Sequence, residues 1–101
     1  MKIAIAAEGG DVNANISLKG GRAPYYLIFE DGKLVKTIRN PFSIGGGGAG
    51  FAVAKMLANE QVSIVVSGNF GPNMLSALQE SNIKPMQMTG TVQQALQALQ
   101  K

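Results

Sequence analysis

The sequence predicts an α/β fold in which a mixed five-stranded sheet is flanked by three helices. Three observations support this prediction. Short apolar runs alternate with segments of helical periodicity over the second half of the chain. Asp31-Gly32 separates two β-rich runs, which is the strongest short-range signal for a hairpin. Glycine, proline and asparagine stand at the boundaries between these segments.

The first half of the chain predicts strands only. Lys2–Ala7 is a short apolar strand. Tyr25–Glu30 and Lys33–Arg39 flank the Asp31-Gly32 turn and therefore pair antiparallel. Asn40-Pro41 ends the third strand, because proline has no backbone N–H for a sheet ladder.

The second half alternates helices and strands. After the glycine run, Val53, Met56 and Leu57 mark the apolar face of a helix that stops at Asn59. Val62–Val66 is predicted as a buried strand. The next helix opens at Gly71-Pro72, where proline occupies the first helical position, and its predicted buried side consists of Met74, Leu75 and Leu78.

The chain ends with a short strand and a helix. The strand is predicted over Pro85–Met88. Thr91 and Gln94 have the spacing of a capping box, so the last helix begins at Thr91, and Val92, Leu96 and Leu99 share one of its faces.

This order of elements restricts the topology. Lys2–Ala7 pairs antiparallel with the hairpin, and the two later strands follow in parallel because crossover connections are right-handed. The predicted strand order is 3-2-1-4-5, that of the ribonuclease H-like motif. Four irregular segments and three helix N-termini then meet at one edge of the sheet: Glu8–Pro24, Asn40–Gly50, Ser67–Asn73 and Met88–Thr91. Such edges and helix N-termini bind anions, so we expect an anionic ligand.

Composition excludes several classes of protein. With 101 residues and 46% hydrophobic residues, the chain is predicted to form one domain over residues 1–101. It has no histidine and no cysteine, which removes Ser-His and Cys-His catalysis, thiolate metal sites and disulfides. No apolar run is long enough for a membrane span or signal peptide. We therefore expect a cytoplasmic protein that is not an enzyme.

The glycine run Gly45–Gly50 does not match a nucleotide-binding loop. A P-loop needs a lysine and a hydroxyl after its last glycine, and Phe51-Ala52 stands there instead. A Gly-x-Gly-x-x-Gly match inside a glycine run carries little information, and no acid follows the next strand. Nuclease chemistry lacks converging carboxylates, and the consecutive Tyr25 and Tyr26 face opposite sides of a strand rather than forming a stacking platform. Nucleic acid is not an expected partner.

Four segments stand out together by order and spacing: "GRAPYYLIFE" (Gly21–Glu30), "NP…GGGGAG" (Asn40–Gly50), "SGNFGPNMLSAL" (Ser67–Leu78) and "GTVQQAL" (Gly90–Leu96). They resemble the dinitrogenase iron–molybdenum cofactor biosynthesis family, which includes NifX-like carriers and the C-terminal domain of NifB. The resemblance covers nearly the whole chain. It implies the ribonuclease H-like fold and binding, without catalysis, of an anionic metal–sulfur cluster or cofactor precursor.

The chain departs from the family pattern at two places. Family members commonly carry Ser-Glu-His-Phe before Gly-Arg-Ala-Pro, and Lys19 holds the histidine position here. The glycine loop often contains a histidine in the family, and Gly45–Gly50 has none. A cluster bound by this chain would therefore be held without His or Cys ligands. The predicted ligand-binding residues are Lys19 and Arg22 for charge, Gly45, Gly46, Gly47, Gly48, Gly50 and Gly71 for backbone N–H groups, and Ser67 and Asn69 for side-chain contacts.

Other interpretations of the same residues stay open. Arg22 is equally suited to a surface ion pair with Glu8 or Asp11, and the glycine loop to a plain connection. A protein-interaction or regulatory module that has lost cluster binding is the second hypothesis, with the edge strand Lys33–Arg39 pairing with a partner in cofactor assembly. A small phosphate-containing metabolite at the same sheet edge is the third.

Overall fold

The structure is a computed structural model that describes residues 1–44 and 48–99. The strands are Lys2–Ala7 (β1), Tyr25–Glu30 (β2), Lys33–Arg39 (β3), Ile64–Ser67 (β4) and Lys84–Gln87 (β5). The helices are Ala49–Asn59 (α1), Pro72–Glu80 (α2) and Val92–Leu99 (α3), and a 3₁₀ turn at Gly20–Arg22 precedes β2.

The sheet has the order β3-β2-β1-β4-β5, which confirms the predicted α/β fold and its strand order. β2 runs antiparallel to both β1 and β3, while β4 and β5 continue from β1 in parallel. Asp31 and Gly32 connect β2 to β3 with φ angles of 52° and 82°. Both angles are positive, as a two-residue hairpin turn of type I′ requires.

The helices cover both faces of the sheet. Successive strand residues point to opposite faces, so Tyr26 and Ile28 pack under α1 and α2, while Leu27 and Phe29 pack under α3. The two tyrosines of β2 follow the prediction, because Tyr26 is fully buried and Tyr25 lies half-buried on the other face. The sheet is thus the middle layer of three, and its core strands are buried on both sides.

The fourth strand is displaced from its predicted range. β4 begins at Ile64 instead of Val62 and extends to Ser67. Val62 is buried but closes the turn after α1, because Gln61 has a φ of 64° and the Val62 N–H bonds to the Leu57 carbonyl at 3.5 Å. A buried valine after a left-handed residue therefore belongs to a helix end here and not to a strand.

The fifth strand and the buried side of α2 also differ from the prediction, and β5 ends at Gln87 instead of Met88. β5 starts at Lys84, one residue before the predicted Pro85, because the Lys84 N–H donates to the Ser63 carbonyl beside it at 3.0 Å. The prediction that Leu75 is buried is wrong, since its side chain is 40% exposed. Met74 and Leu78, four residues apart, form the buried stripe of α2, and Leu75 lies beyond it.

The end of α1 and the start of α2 agree with the sequence, whereas α3 begins at Val92, one residue after the predicted Thr91, which caps it. α1 ends at Asn59, and α2 has proline at its first position. The Thr91 N–H donates to Gln94 Oε1 at 2.8 Å, and the Gln94 N–H donates to Thr91 Oγ1 at 3.2 Å, which confirms the capping box. No helix in the described part of the chain is long and apolar enough to cross a membrane.

Candidate functional site

A cavity of about 250 Å³ opens at the edge of the sheet where β1, β3, β4 and β5 end. Three backbone segments form its walls: the 3₁₀ turn before β2, the N-terminus of α1 and the N-terminus of α2. The lining residues are Lys19, Gly21, Arg22, Gly48, Ala49, Gly50, Gly71, Pro72, Asn73 and Met74. The cavity therefore brings together five of the predicted site residues: Lys19, Arg22, Gly48, Gly50 and Gly71.

Glycine allows these three segments to touch through their backbones. A Cβ added at Gly21 would lie 3.0 Å from the Gly50 Cα and N atoms. A Cβ added at Gly50 would lie 2.9 Å from the Met74 N atom. Real Cβ atoms essentially never come as close to backbone as at Gly50 and rarely as close as at Gly21, so side chains at these two positions would push the walls apart. Part of the glycine content thus serves close packing, which brings the two helix N-termini side by side.

Two helix N-termini face this cavity without a side-chain cap. Gly48 is the N-cap residue of α1 and Gly71 that of α2, and neither supplies a capping hydrogen bond. The first amide groups of an α-helix have no intrahelical carbonyl partner. In α1 these belong to Ala49 and Gly50, and in α2 to Asn73, so the cavity wall is rich in backbone donors. Together with the helix dipoles, such donors favour an anion.

Two cationic side chains add charge to the same wall. Lys19 precedes the 3₁₀ turn and Arg22 is its last residue, and both line the cavity. None of the lining residues in the described part of the chain is acidic. An ammonium, a guanidinium and backbone N–H groups are all donors, so this wall complements a negatively charged acceptor.

Buried side chains hold the turn that carries these cations. The Tyr26 hydroxyl donates to the Gly20 carbonyl at 2.6 Å. The Asn40 Nδ2 group donates to the carbonyls of Gly21 and Ala23, both at 2.9 Å. Tyr26 is fully buried, and this burial raises the pKa of its hydroxyl, so the hydroxyl stays protonated and can donate.

Ser67 and Asn69 lie outside the cavity lining. Ser67 is fully buried. Its hydroxyl is the donor to the Asn69 carbonyl at 2.8 Å and to the Ser17 carbonyl at 3.3 Å. The Asn69 Oδ1 accepts the Phe70 N–H at 2.9 Å. Both side chains therefore shape the turn that leads to Gly71. The predicted contacts of Gly45, Gly46 and Gly47 lie outside the described residues.

The prediction that three helix N-termini meet at one site is wrong for α3. Its amide groups are already used, because Val92 N–H donates to the Ala14 carbonyl at 2.9 Å and Gln93 N–H to the Val12 carbonyl at 3.0 Å. The capping box occupies the Thr91 N–H as well. The loop after β1 thus closes the N-terminus of α3, a tertiary contact that no local sequence pattern reveals.

Other openings in the surface have a different chemistry. A groove of about 500 Å³ runs between α2 and β5, and one of about 390 Å³ lies beside α1. Both are larger than the cavity at the helix N-termini, but their walls are mainly apolar. The smaller cavity is the candidate site, because it alone of these openings contains two cations and two helix N-termini.

The described residues of the site offer hydrogen-bond donors and contain no His, Cys, Asp or Glu. In the described part of the chain, no group of three or more His, Cys, Asp or Glu residues could hold a metal ion. The sequence has no histidine or cysteine at all. The described lining residues therefore offer hydrogen-bond donors and positive charge.

Sequence reasoning missed three contributors to the site. Asn73 lines the cavity at the second position of α2, a signal available from the Gly-Pro start of that helix. For Tyr26 the sequence predicts only that it faces the opposite side of the strand from Tyr25, and Asn40 is predicted as a strand end and the first residue of the Asn40–Gly50 segment, with no bond to the turn. Their hydrogen bonds to the turn span 6, 17 and 19 residues, so only the tertiary structure shows them.

Comparison with known proteins identifies the family of this chain. The family model described as dinitrogenase iron–molybdenum cofactor matches residues 1–101. No match was found among curated protein sequences.

Solved structures share the fold. The apo form of the orange protein from Desulfovibrio gigas is similar with 29% identity and a TM-score of 0.90, covering 97% of this chain and 85% of that one. The NMR structure of TM1290 from Thermotoga, a proposed NifB protein of the DUF35 family, shows 27% identity and a TM-score of 0.83, covering 97% and 85%. PH0822, at 18% identity and a TM-score of 0.79, covers 98% and 89% and shows the fold alone. The match over the whole chain places this protein in the dinitrogenase iron–molybdenum cofactor family.

Proposed function

We propose that this protein binds an anionic metal–sulfur cluster, or a precursor of the iron–molybdenum cofactor, in the cavity between α1, α2 and the 3₁₀ turn. One observation carries the proposal: two uncapped helix N-termini and two cationic side chains converge on one cavity of about 250 Å³. Family membership supports the choice of ligand class, because the family model is that of the dinitrogenase iron–molybdenum cofactor.

The ligand is held from outside its own coordination sphere. Lys19 and Arg22 supply charge, and the helix starts at Gly48, Gly50 and Gly71 supply backbone N–H groups. We propose that Gly45–Gly47 extend this set of donors along the same loop. Ser67 and Asn69 act indirectly by shaping the turn before Gly71.

The role that follows is that of a carrier and not of an enzyme. Among the described lining residues, the side-chain functional groups are an ammonium, a guanidinium, an amide and a thioether, which suit binding better than proton abstraction or nucleophilic attack. Binding without protein-donated metal bonds also suits release to a partner in cofactor assembly, since no ligand exchange is needed.

The test is an anaerobic titration of the purified protein with tetrathiomolybdate and, separately, with a labile iron–sulfur cluster source. Binding is followed by visible absorbance and by metal analysis after gel filtration. Arg22→Ala and Lys19→Ala are expected to weaken binding about tenfold each, the size of one charge-assisted hydrogen bond. Lys84→Ala, an exposed change on β5, is the matched control and should leave binding unchanged.

Two outcomes would change the proposed ligand or the proposed role. Retention of inorganic phosphate in preference to both metal–sulfur probes would favour a small anionic metabolite at the same cavity. No retention of any probe under reducing conditions would overturn the carrier proposal.

The second candidate is a protein-interaction module, and the exposure of β3 favours it. This strand forms one edge of the sheet, and six of its seven residues are exposed, including the apolar Leu34 and Val35. An edge strand of this kind can pair with an extended segment of a partner protein. Protection of β3 amides from hydrogen exchange on addition of a candidate partner would support this role, and unchanged exchange would contradict it.

A further inference from the structure

The turn beside the cavity is held by an unusual set of contacts. The carbonyl groups of Gly20, Gly21 and Ala23 all accept hydrogen bonds from side chains of the core. The donors are Tyr26, which is fully buried, and Asn40, which is 4% exposed. Neither side chain is among the residues that line the cavity, and both bond to the turn that carries Arg22 and follows Lys19.

We propose that Tyr26 and Asn40 are positioning residues for the anion site: together they hold the Gly20–Ala23 carbonyls toward the core and the Lys19–Arg22 segment toward the cavity. The expected effect on ligand affinity rests on the proposed function, whereas the holding of the turn rests on hydrogen-bond geometry alone.

The first reason is electrostatic. A carbonyl oxygen carries partial negative charge and would repel an anion if it pointed into the cavity. Here these oxygens are occupied by the Tyr26 hydroxyl at 2.6 Å and by Asn40 Nδ2 at 2.9 Å. The wall therefore presents donors to the ligand while its acceptors are satisfied in the core, an arrangement formed before the ligand arrives.

The second reason is that Asn40 is itself fixed by further hydrogen bonds. Its Nδ2 group bonds to the turn, and its Oδ1 accepts the Phe42 N–H at 2.9 Å. Its own N–H donates to the Pro24 carbonyl at 2.9 Å. One buried side chain thus ties the turn to the first residues after β3, and these bonds fix the orientation of the Asn40 amide that holds the turn.

The Tyr26→Phe variant tests the anchor with little risk to the fold. The Gly20 carbonyl also accepts the Ala23 N–H at 3.0 Å, so losing the tyrosine hydroxyl leaves that carbonyl with a partner. Phenylalanine fills almost the same volume in the core. Should Asn40→Ala fail to fold, Tyr26→Phe still decides the proposal.

The first measurement is amide hydrogen exchange by NMR on the ligand-free protein. The Arg22 and Ala23 amides donate to Lys19 and Gly20 carbonyls within the turn, at 3.1 and 3.0 Å. We expect both to exchange about tenfold faster in Tyr26→Phe and in Asn40→Ala, while β1 amides follow global stability only. Thr91→Ala is the control, because it removes a hydrogen bond at the N-terminus of α3, where the described residues take no part in the cavity lining.

The second measurement is the affinity for tetrathiomolybdate. Tyr26→Phe and Asn40→Ala should each raise Kd about tenfold, although neither residue touches the cavity, whereas Thr91→Ala should leave Kd unchanged. Unchanged exchange at Arg22 and Ala23 would overturn the positioning role. If the wild-type protein retains no probe, the proposed function fails, and the exchange data alone decide whether Tyr26 and Asn40 hold the turn.

Discussion

Gly50 is the residue at which the candidate site depends most directly on the absence of a side chain. It lies between Gly21 of the turn and Met74 of α2, and both neighbours are in backbone contact with it. Gly71, by contrast, has open space where a Cβ would be, with nothing within 4 Å, and an extended backbone with φ of −75°. Two glycines of one cavity therefore have different physical roles.

Gly50→Ala should destabilise the protein, whereas Gly71→Ala should be tolerated. Alanine at position 50 gains about 0.5–1 kcal/mol of helix propensity but pushes a Cβ to 2.9 Å from Met74 N, and overpacking of this kind costs about 1–3 kcal/mol. At position 71 the change loses only the preference for glycine over alanine at an N-cap, which is less than about 1 kcal/mol. Urea denaturation measures the free energy of unfolding of both variants. Equal stability of the two variants would contradict the close packing at Gly50.

Tyr26 predicts a stability loss at alkaline pH. Burial raises the pKa of its hydroxyl in the folded protein above the ordinary value of about 10, so the folded state keeps its proton longer than the unfolded state. Below about pH 10 this group therefore does not change the free energy of unfolding. Above that pH the free energy of unfolding falls, because the tyrosine ionises in the unfolded chain while it stays protonated in the folded protein. In Tyr26→Phe this fall should be smaller between pH 9 and about 11. If the free energy of unfolding falls equally with pH in the wild type and in Tyr26→Phe, Tyr26 is not the group responsible.

At the scale of elements, the three helices use their N-termini in different ways. The N-termini of α1 and α2 have glycine N-caps and face the cavity, whereas that of α3 is closed by Thr91, Gln94 and the loop after β1. A capped terminus has satisfied donors and little attraction for a ligand, while an uncapped one keeps its donors available. Which helix can bind an anion is thus decided by what precedes each one.

Thr91→Ala should lower the free energy of unfolding by about 1 kcal/mol and leave ligand affinity unchanged. It removes the side-chain acceptor for the Gln94 N–H, which is the usual effect of deleting a threonine N-cap. Thermal denaturation and the tetrathiomolybdate titration measure the two effects. A loss of affinity would mean that α3 contributes to the site after all.

The edge strand β3 contains a bulge in its pairing with β2. Ile28 faces Lys36 but Phe29 faces Leu34, so Val35 has no partner in β2 and forms a bulge. Directly opposed residues lie on the same face of a sheet. The bulge thereby places Lys33 and Lys36 on one face although three positions separate them, and it interrupts the edge, as strands that avoid uncontrolled pairing commonly do.

At the scale of the whole molecule, binding should depend on salt concentration. The cavity contains two cations and no acidic lining residue among those described, so attraction of an anion is partly long-range. Raising ionic strength from about 0.05 to 0.5 M shortens the Debye length to a few ångströms and should weaken tetrathiomolybdate binding several-fold. The slope should be smaller in Arg22→Ala. Affinity that is independent of salt would indicate that uncharged contacts hold the ligand.

Much of the fold and part of the site followed from local patterns. The hairpin at Asp31-Gly32, the proline start of α2, the capping box of α3 and the strand order are confirmed, because turn chemistry, capping and right-handed crossovers are short-range rules. The errors lie where distant residues compete with those rules. Val62 was predicted in a strand because it is apolar, but its burial comes from closing the end of α1.

The fold class, the strand order and the sheet edge at which Lys19, Arg22 and Gly71 lie can be predicted from local sequence patterns. These features depend on periodicity, on residues that start and stop elements, and on the direction of each strand. Which helix N-termini stay uncapped, and how the turn carrying Arg22 is held, depend on long-range packing instead. These features depend on contacts such as Tyr26 to Gly20, Asn40 to Ala23 and Val92 to Ala14, whose members are brought together by packing and not by local preference.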